Sequence, residues 1–113
     1  MIIVDSPLSW ADLKAMAERT FGDMVKAVVD IERGVMALDG ELHSDEEALL
    51  LGNGSKQEHL WGINLYPGLE GPDRIEFDSV INIRPSQNNR SRGVDSLEIR
   101  DRIIQIVGLM VKG

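Results

Sequence analysis

Arg74-Ile75-Glu76-Phe77-Asp78-Ser79-Val80-Ile81-Asn82-Ile83-Arg84 alternates apolar and polar side chains along most of its length. Ile75, Phe77, Ile81 and Ile83 fall on one side of an extended chain, and Glu76, Asp78, Asn82 and Arg84 on the other. A period of two is that of a β-strand, and a strand with one wet face belongs to an antiparallel sheet. The pattern predicts a strand over residues 74–84. Its four large apolar side chains should be buried, and Glu76 and Asp78 exposed or paired.

Working outward, the other segments supply partners for that strand. Met1 to Val4 reads as an edge strand. Met24 to Ile31 and Val35 to Leu38 read as a hairpin around Glu32-Arg33-Gly34, and Leu60 to Tyr66 as a further strand with Trp61, Ile63 and Leu65 on one face. Three helices are expected. Ser9-Trp10-Ala11-Asp12 has the form of a capping box, followed by the stripe Trp10, Leu13, Ala17, Phe21 and the terminator Gly22. Ser44 starts the second helix, with Asp45, Glu46 and Glu47 in its first turn, where they complement the helix dipole. Asp95 or Ser96 starts the third, whose buried stripe is Ile99, Ile103, Ile106, Val107 and Met110. Glu98 and Arg102 sit one turn apart on its polar side. The resulting order is β-α-β-β-α-β-β-α. It predicts one α+β domain over residues 1–113: an antiparallel sheet of about four strands with helices packed on one face. The apolar stripe of the last helix is wide, so the helix either lies under the whole sheet or uses its spare face in a subunit contact; a homodimer is expected, through that helix or an edge strand.

Composition narrows the function. The chain of 113 residues has 19 acidic against 12 basic side chains, a net charge of -7, and no cysteine. Disulfides and thiolate chemistry are excluded, and a reducing, cytoplasmic setting is expected. No apolar run approaches membrane-spanning length, and Asp5 follows Met1-Ile2-Ile3-Val4 at once, so neither a membrane anchor nor a signal peptide is expected. The acidic field disfavours general nucleic-acid binding.

Against that field, Arg84-Pro85-Ser86-Gln87-Asn88-Asn89-Arg90-Ser91-Arg92-Gly93 holds three arginines and no acid. Guanidinium forks suit carboxylate or phosphate, and amides and hydroxyls can complete the shell. The start of the last helix could add backbone N–H groups. Asn64 and Asn82 belong to the polar face of the same strands. Asn64, Asn82, Arg84, Ser86, Gln87, Asn89, Arg90 and Arg92 are therefore the candidate ligand-binding residues. The alternative is that these arginines pair with the chain's own carboxylates or with a neighbouring subunit.

Four other candidates are weaker. Glu41, His43, Asp45, Glu46 and Glu47 could hold a divalent cation or act as acid and base, but lack a metal-ligand spacing and read better as a solvated helix start. No metal and no cofactor is expected. Gly52-Asn53-Gly54-Ser55-Lys56 echoes the end of a phosphate loop at the wrong spacing, and helix termination explains its glycines. His59 reads as a residue packed at a strand end. Ser86 and Ser91 have no histidine near them in sequence.

Gly40-Glu41-Leu42-His43, Asp45-Glu46-Glu47-Ala48-Leu49-Leu50-Leu51, Gly54-Ser55-Lys56-Gln57-Glu58, Leu60-Trp61-Gly62-Ile63-Asn64 and Ile83-Arg84-Pro85-Ser86-Gln87, continuing through Asn89-Arg90-Ser91-Arg92, carry a resemblance over nearly the whole chain. Together they resemble a family of small prokaryotic proteins classed only as a domain of unknown function. The resemblance implies no activity and no site residue. Three functions stay open: a module binding an anionic small molecule at the arginine loop, an enzyme acting on a phosphorylated or carboxylated small molecule, and a structural homo-oligomer. In the enzyme, Arg84, Arg90 and Arg92 would stabilise charge, with His43 or Glu41 as acid–base group.

Overall fold

The computed structural model describes residues 1–113. Its strands are Ile2–Val4 (β1), Leu8–Ser9 (β2), Val25–Asp30 (β3), Val35–Leu38 (β4), Leu60–Leu65 (β5), Ile75–Glu76 (β6) and Val111–Lys112 (β7). Its helices are Trp10–Arg19 (α1), His43–Gly52 (α2) and Leu97–Met110 (α3). The protein is α+β, the class to which the strand alternation and helix stripes point. Five strands form an antiparallel sheet in the order β1-β4-β3-β5-β6. Two-residue β2 and β7 form a separate parallel pair that joins the two ends of the chain. Strands that short carry no period, so nothing in the sequence announces them.

β3 holds the centre because Val25, Ala27, Val28 and Val29 make it apolar on both faces, interrupted by Lys26. A strand of that kind needs cover on both sides. On one side α1 and α3 press Leu13, Met16, Ile103 and Ile106 against a core that includes Val29, Met36, Trp61 and Ile63. On the other, Leu50 of α2 packs with Val28, Ala37 and Leu60. The helices thus occupy both faces of the sheet, rather than one. The expectation of a single covered face overlooked Val28, which points away from Ala27 and Val29 and needs its own apolar partner.

Local chemistry sets the helix ends. Ser9 and Asp12 complete the capping box, with both hydrogen bonds at 3.0 Å. α1 stops at Arg19, so Phe21 lies beyond it and is exposed. Ser96 Oγ accepts from the Ile99 N–H at 3.2 Å to start α3. Arg102 donates to the Ile31 carbonyl at 3.0 Å and makes no ion pair with Glu98. Leu97, Ile104 and Leu109 of α3 face solvent.

The segment 74–84 departs most from expectation. Only Ile75–Glu76 joins the sheet. Residues 80–82 form a short 3₁₀ turn, Asn82 is 0% exposed, and Ile83 is 44% exposed. Ile75, Phe77 and Ile81 are half-buried. The reason is a competing hydrogen-bond partner. In the register that pairs Asn64 with Glu76, Asp78 would lie opposite Gly62. Instead the Asn82 side chain takes both Gly62 backbone groups: its Oδ1 accepts from the N–H at 2.8 Å and its Nδ2 donates to the carbonyl at 2.9 Å. A primary amide presents the same donor and acceptor as a peptide, so one side chain replaces the missing strand. Gly62 permits this approach, because a Cβ there would lie 2.6 Å from the Ser79 side chain.

Candidate functional site

The arginine-rich loop is a tightly stapled turn. Arg84 and Asn89 exchange backbone hydrogen bonds, and Asn88 closes the turn in left-handed conformation at φ 60°. Asn89 is buried; its Nδ2 donates to the carbonyls of Asn82 and Gly93, each at 2.8 Å, and its Oδ1 accepts from the Asp95 N–H at 2.8 Å. Asn82 reaches the Arg92 carbonyl as well, at 3.0 Å. Arg84 points back onto the body of the protein. It donates to the carbonyls of Gln57 and Leu60, and its guanidinium lies 4.2 Å from the centroid of the Trp61 ring. Gln87 donates to the Glu58 carbonyl at 3.0 Å.

Asn64 donates to Glu76 Oε1 at 2.8 Å, and Ser86 is exposed. Arg90 is exposed and has no carboxylate within ion-pair distance. Arg92 pairs with Asp78 through Nε at 2.6 Å, which holds its pKa above the ordinary value. The eight sequence candidates therefore do not converge on one point. Asn82, Arg84, Gln87 and Asn89 fasten the loop to the sheet, while Arg90 and Arg92 keep donors toward solvent.

Arg92 does converge with residues from elsewhere. It lines a cavity of about 210 Å³ with Lys26 of β3, Leu42, His43 and Ser44 at the start of α2, and Ser79, Val80 and Ile81. No acidic side chain lines it, in a chain of net charge -7. Lys26 is half-buried and has no carboxylate within ion-pair distance; its ammonium lies 5.4 Å from the Phe21 ring centroid. α2 begins one residue earlier than expected, at His43, and Leu42 provides no side-chain cap. The His43 and Ser44 N–H groups have no partner within the chain. Uncapped N–H groups at a helix start carry partial positive charge.

His43 is buried, and its Nε2–H donates to the Ile63 carbonyl at 2.7 Å. Burial lowers its pKa from the ordinary value; the Ile63 hydrogen bond and Asp78 oppose this, while Lys26 and Arg92 reinforce it. With its pKa lowered, the imidazole is uncharged at neutral pH. The lining residues thus carry as donors the Lys26 ammonium, the Arg92 guanidinium nitrogens not engaged by Asp78, the Ser44 and Ser79 hydroxyls and two backbone amides.

The acidic cluster is dispersed. Glu41 and Asp45 are exposed, but Glu46 is 0% exposed, which corrects the expectation of a solvated helix start. Gly40 makes the room: a Cβ there would lie 2.7 Å from Glu46 Cγ. Glu46 Oε2 accepts from the Gly40 N–H at 2.9 Å, while Oε1 has no partner. Desolvation raises its pKa from 4.5 to about 9. No three His, Asp or Glu side chains are grouped to hold a metal ion.

Gly52 to Lys56 closes α2 and docks on the β3–β4 turn. Ser55 Oγ donates to Asp30 Oδ2 at 2.6 Å, and Arg33 donates to Ser55 Oγ at 2.9 Å.

Sequence reasoning missed Lys26 as a functional candidate. The available signal was a lone cation inside Val25-Lys26-Ala27-Val28-Val29, where a strand covered on both faces has little room for charge. Leu42, Ser44, Ser79 and Val80 carried no comparable signal.

No helix is long and apolar enough to cross a membrane. Neither a curated protein nor a solved structure matches the chain. A family model described as protein of unknown function, DUF5674, matches residues 2–110. Running from β1 to the end of α3, this match shows that the chain belongs to the DUF5674 family.

Proposed function

We propose that the protein is a binding module for a small anion, held where Arg92 of the arginine loop meets Lys26 and the start of α2. The observation that carries this reading is the cavity lining: the uncompensated Lys26, Arg92 paired with Asp78 through Nε alone, no acid among the lining residues, and two unpartnered backbone N–H groups beside them. The cavity, about 210 Å³, is smaller than a drug-sized pocket and suits a small molecule or one head group. Asn82 and Asn89 support the site indirectly by fixing the backbone that carries Arg92. Arg90 is outside the lining and contributes to the surrounding field.

Binding is favoured over catalysis by the surroundings of His43. It is the titratable group nearest the role of acid or base, yet no serine hydroxyl is hydrogen-bonded to it, so no nucleophile–base pair is assembled. The test is a nuclear magnetic resonance titration with acetate and with inorganic phosphate, following the His43 and Ser44 amides. Both signals should move saturably in the wild type. Lys26→Met or Arg92→Ala should weaken the response about tenfold or more, the scale of one lost charge-assisted hydrogen bond. Unmoved amides, or unchanged affinity in both variants, would sink the reading.

A further inference from the structure

The lining of the same cavity is of two chemistries. Leu42 and Val80 are 55% and 63% exposed, come from different segments, and line the cavity together with half-buried Ile81. Single exposed apolar side chains need no explanation. Two that line one cationic cavity, together with Ile81, give it an apolar part beside its polar donors. We infer that the ligand is a carboxylate bearing a short apolar chain or ring, a class that rests on the anion-binding reading and narrows it.

Charge bookkeeping favours a monoanion. Arg92 is already paired with Asp78, and His43 is uncharged at neutral pH, which leaves Lys26 as the one uncompensated charge among the lining side chains. A carboxylate matches one positive charge; a phosphate dianion would bring a second negative charge into a chain already at -7. With Nε engaged by Asp78, the terminal amino groups of Arg92 remain to meet a planar carboxylate. The apolar substituent would then lie between Leu42 and Val80, removing exposed hydrocarbon from water on both partners.

The experiment compares acetate, butanoate and hexanoate with inorganic phosphate, by the same amide shifts, on the wild type and on a Leu42→Ala/Val80→Ala double variant, which trims the apolar side chains without adding a helix cap that would compete for the Ser44 amide. Both replaced side chains are largely solvent-facing, so the fold should survive. Affinity in the wild type should rise about fourfold for each methylene that becomes buried. The double variant should bind acetate as the wild type does and lose that rise. Equal affinities for acetate and hexanoate, or a rise that persists in the double variant, would overturn the apolar-carboxylate assignment while leaving anion binding standing. Phosphate binding more tightly than every carboxylate would do the same. If no anion moves the amides, both readings fall.

Discussion

Glu46→Gln should make the protein more stable at neutral pH, and the gain should grow as pH rises. The Glu46 side chain is fully buried, accepts one hydrogen bond from the Gly40 N–H, and has its pKa raised from 4.5 to about 9. Between those values the folded chain keeps a proton that the unfolded chain releases. The folded state binds more protons there, so stability falls as pH rises, by about 1.4 kcal/mol per unit. Below pH 4.5 both states are protonated and the full stability is present; above about pH 9 both are ionised and the loss is complete. At pH 7 the accumulated loss is about 3 kcal/mol.

Glutamine removes the titration and retains an oxygen for the Gly40 N–H. It places an unpartnered amide near the position of Oε1, which costs about 1 kcal/mol. The net expectation is a variant more stable than wild type by about 2 kcal/mol at pH 7 and slightly less stable at pH 4.5. Urea unfolding of both proteins across this range measures the difference directly. A stability difference that stays constant from acid to alkaline pH would refute the reasoning, because it would mean that Glu46 titrates alike in the folded and unfolded chains.

Asn82→Ala should cost about 2–4 kcal/mol, since it leaves the buried N–H and carbonyl of Gly62 without partners; a loss under 1 kcal/mol on chemical denaturation would show that water or a rearranged strand replaces the amide. Arg84→Lys should destabilise by about 1.5–3 kcal/mol because an ammonium cannot both span two carbonyls and stack on Trp61, whereas Arg90→Ala should stay within about 0.5 kcal/mol. Equal thermal shifts in those two variants would contradict the different roles assigned to the arginines.

The hairpin of β3 and β4 was legible because apolar residues flank Glu32-Arg33-Gly34, and Gly34 takes the positive φ of 70° that the turn requires. The Ser9 capping box and the α3 stripe were legible for the same reason: each depends on residues a few positions apart. The strand predicted over 74–84 failed where a distant group intervened. Its alternation is real, but Asn82 meets Gly62 twenty residues away and diverts the chain from the sheet. The candidate site shows the same division. An acid-free cluster of arginines stood out in an acidic chain, and Arg92 does face a cavity without acids. Arg84 looked equivalent in sequence, yet its side chain turns inward to Trp61.

The sequence by itself determined the class of fold, the places where most strands and helices lie, and the local scarcity of acid around residues 84–93. These depend on periodicity, turn chemistry and composition, all properties of neighbouring residues. The tertiary structure alone decided that helices cover both faces of the sheet, that Asn82 stands in for a strand, and that Lys26, His43 and Arg92 share a cavity. Lys26 and Arg92 are brought together by packing across the sheet, and no local propensity encodes a distance between segments so far apart in the chain.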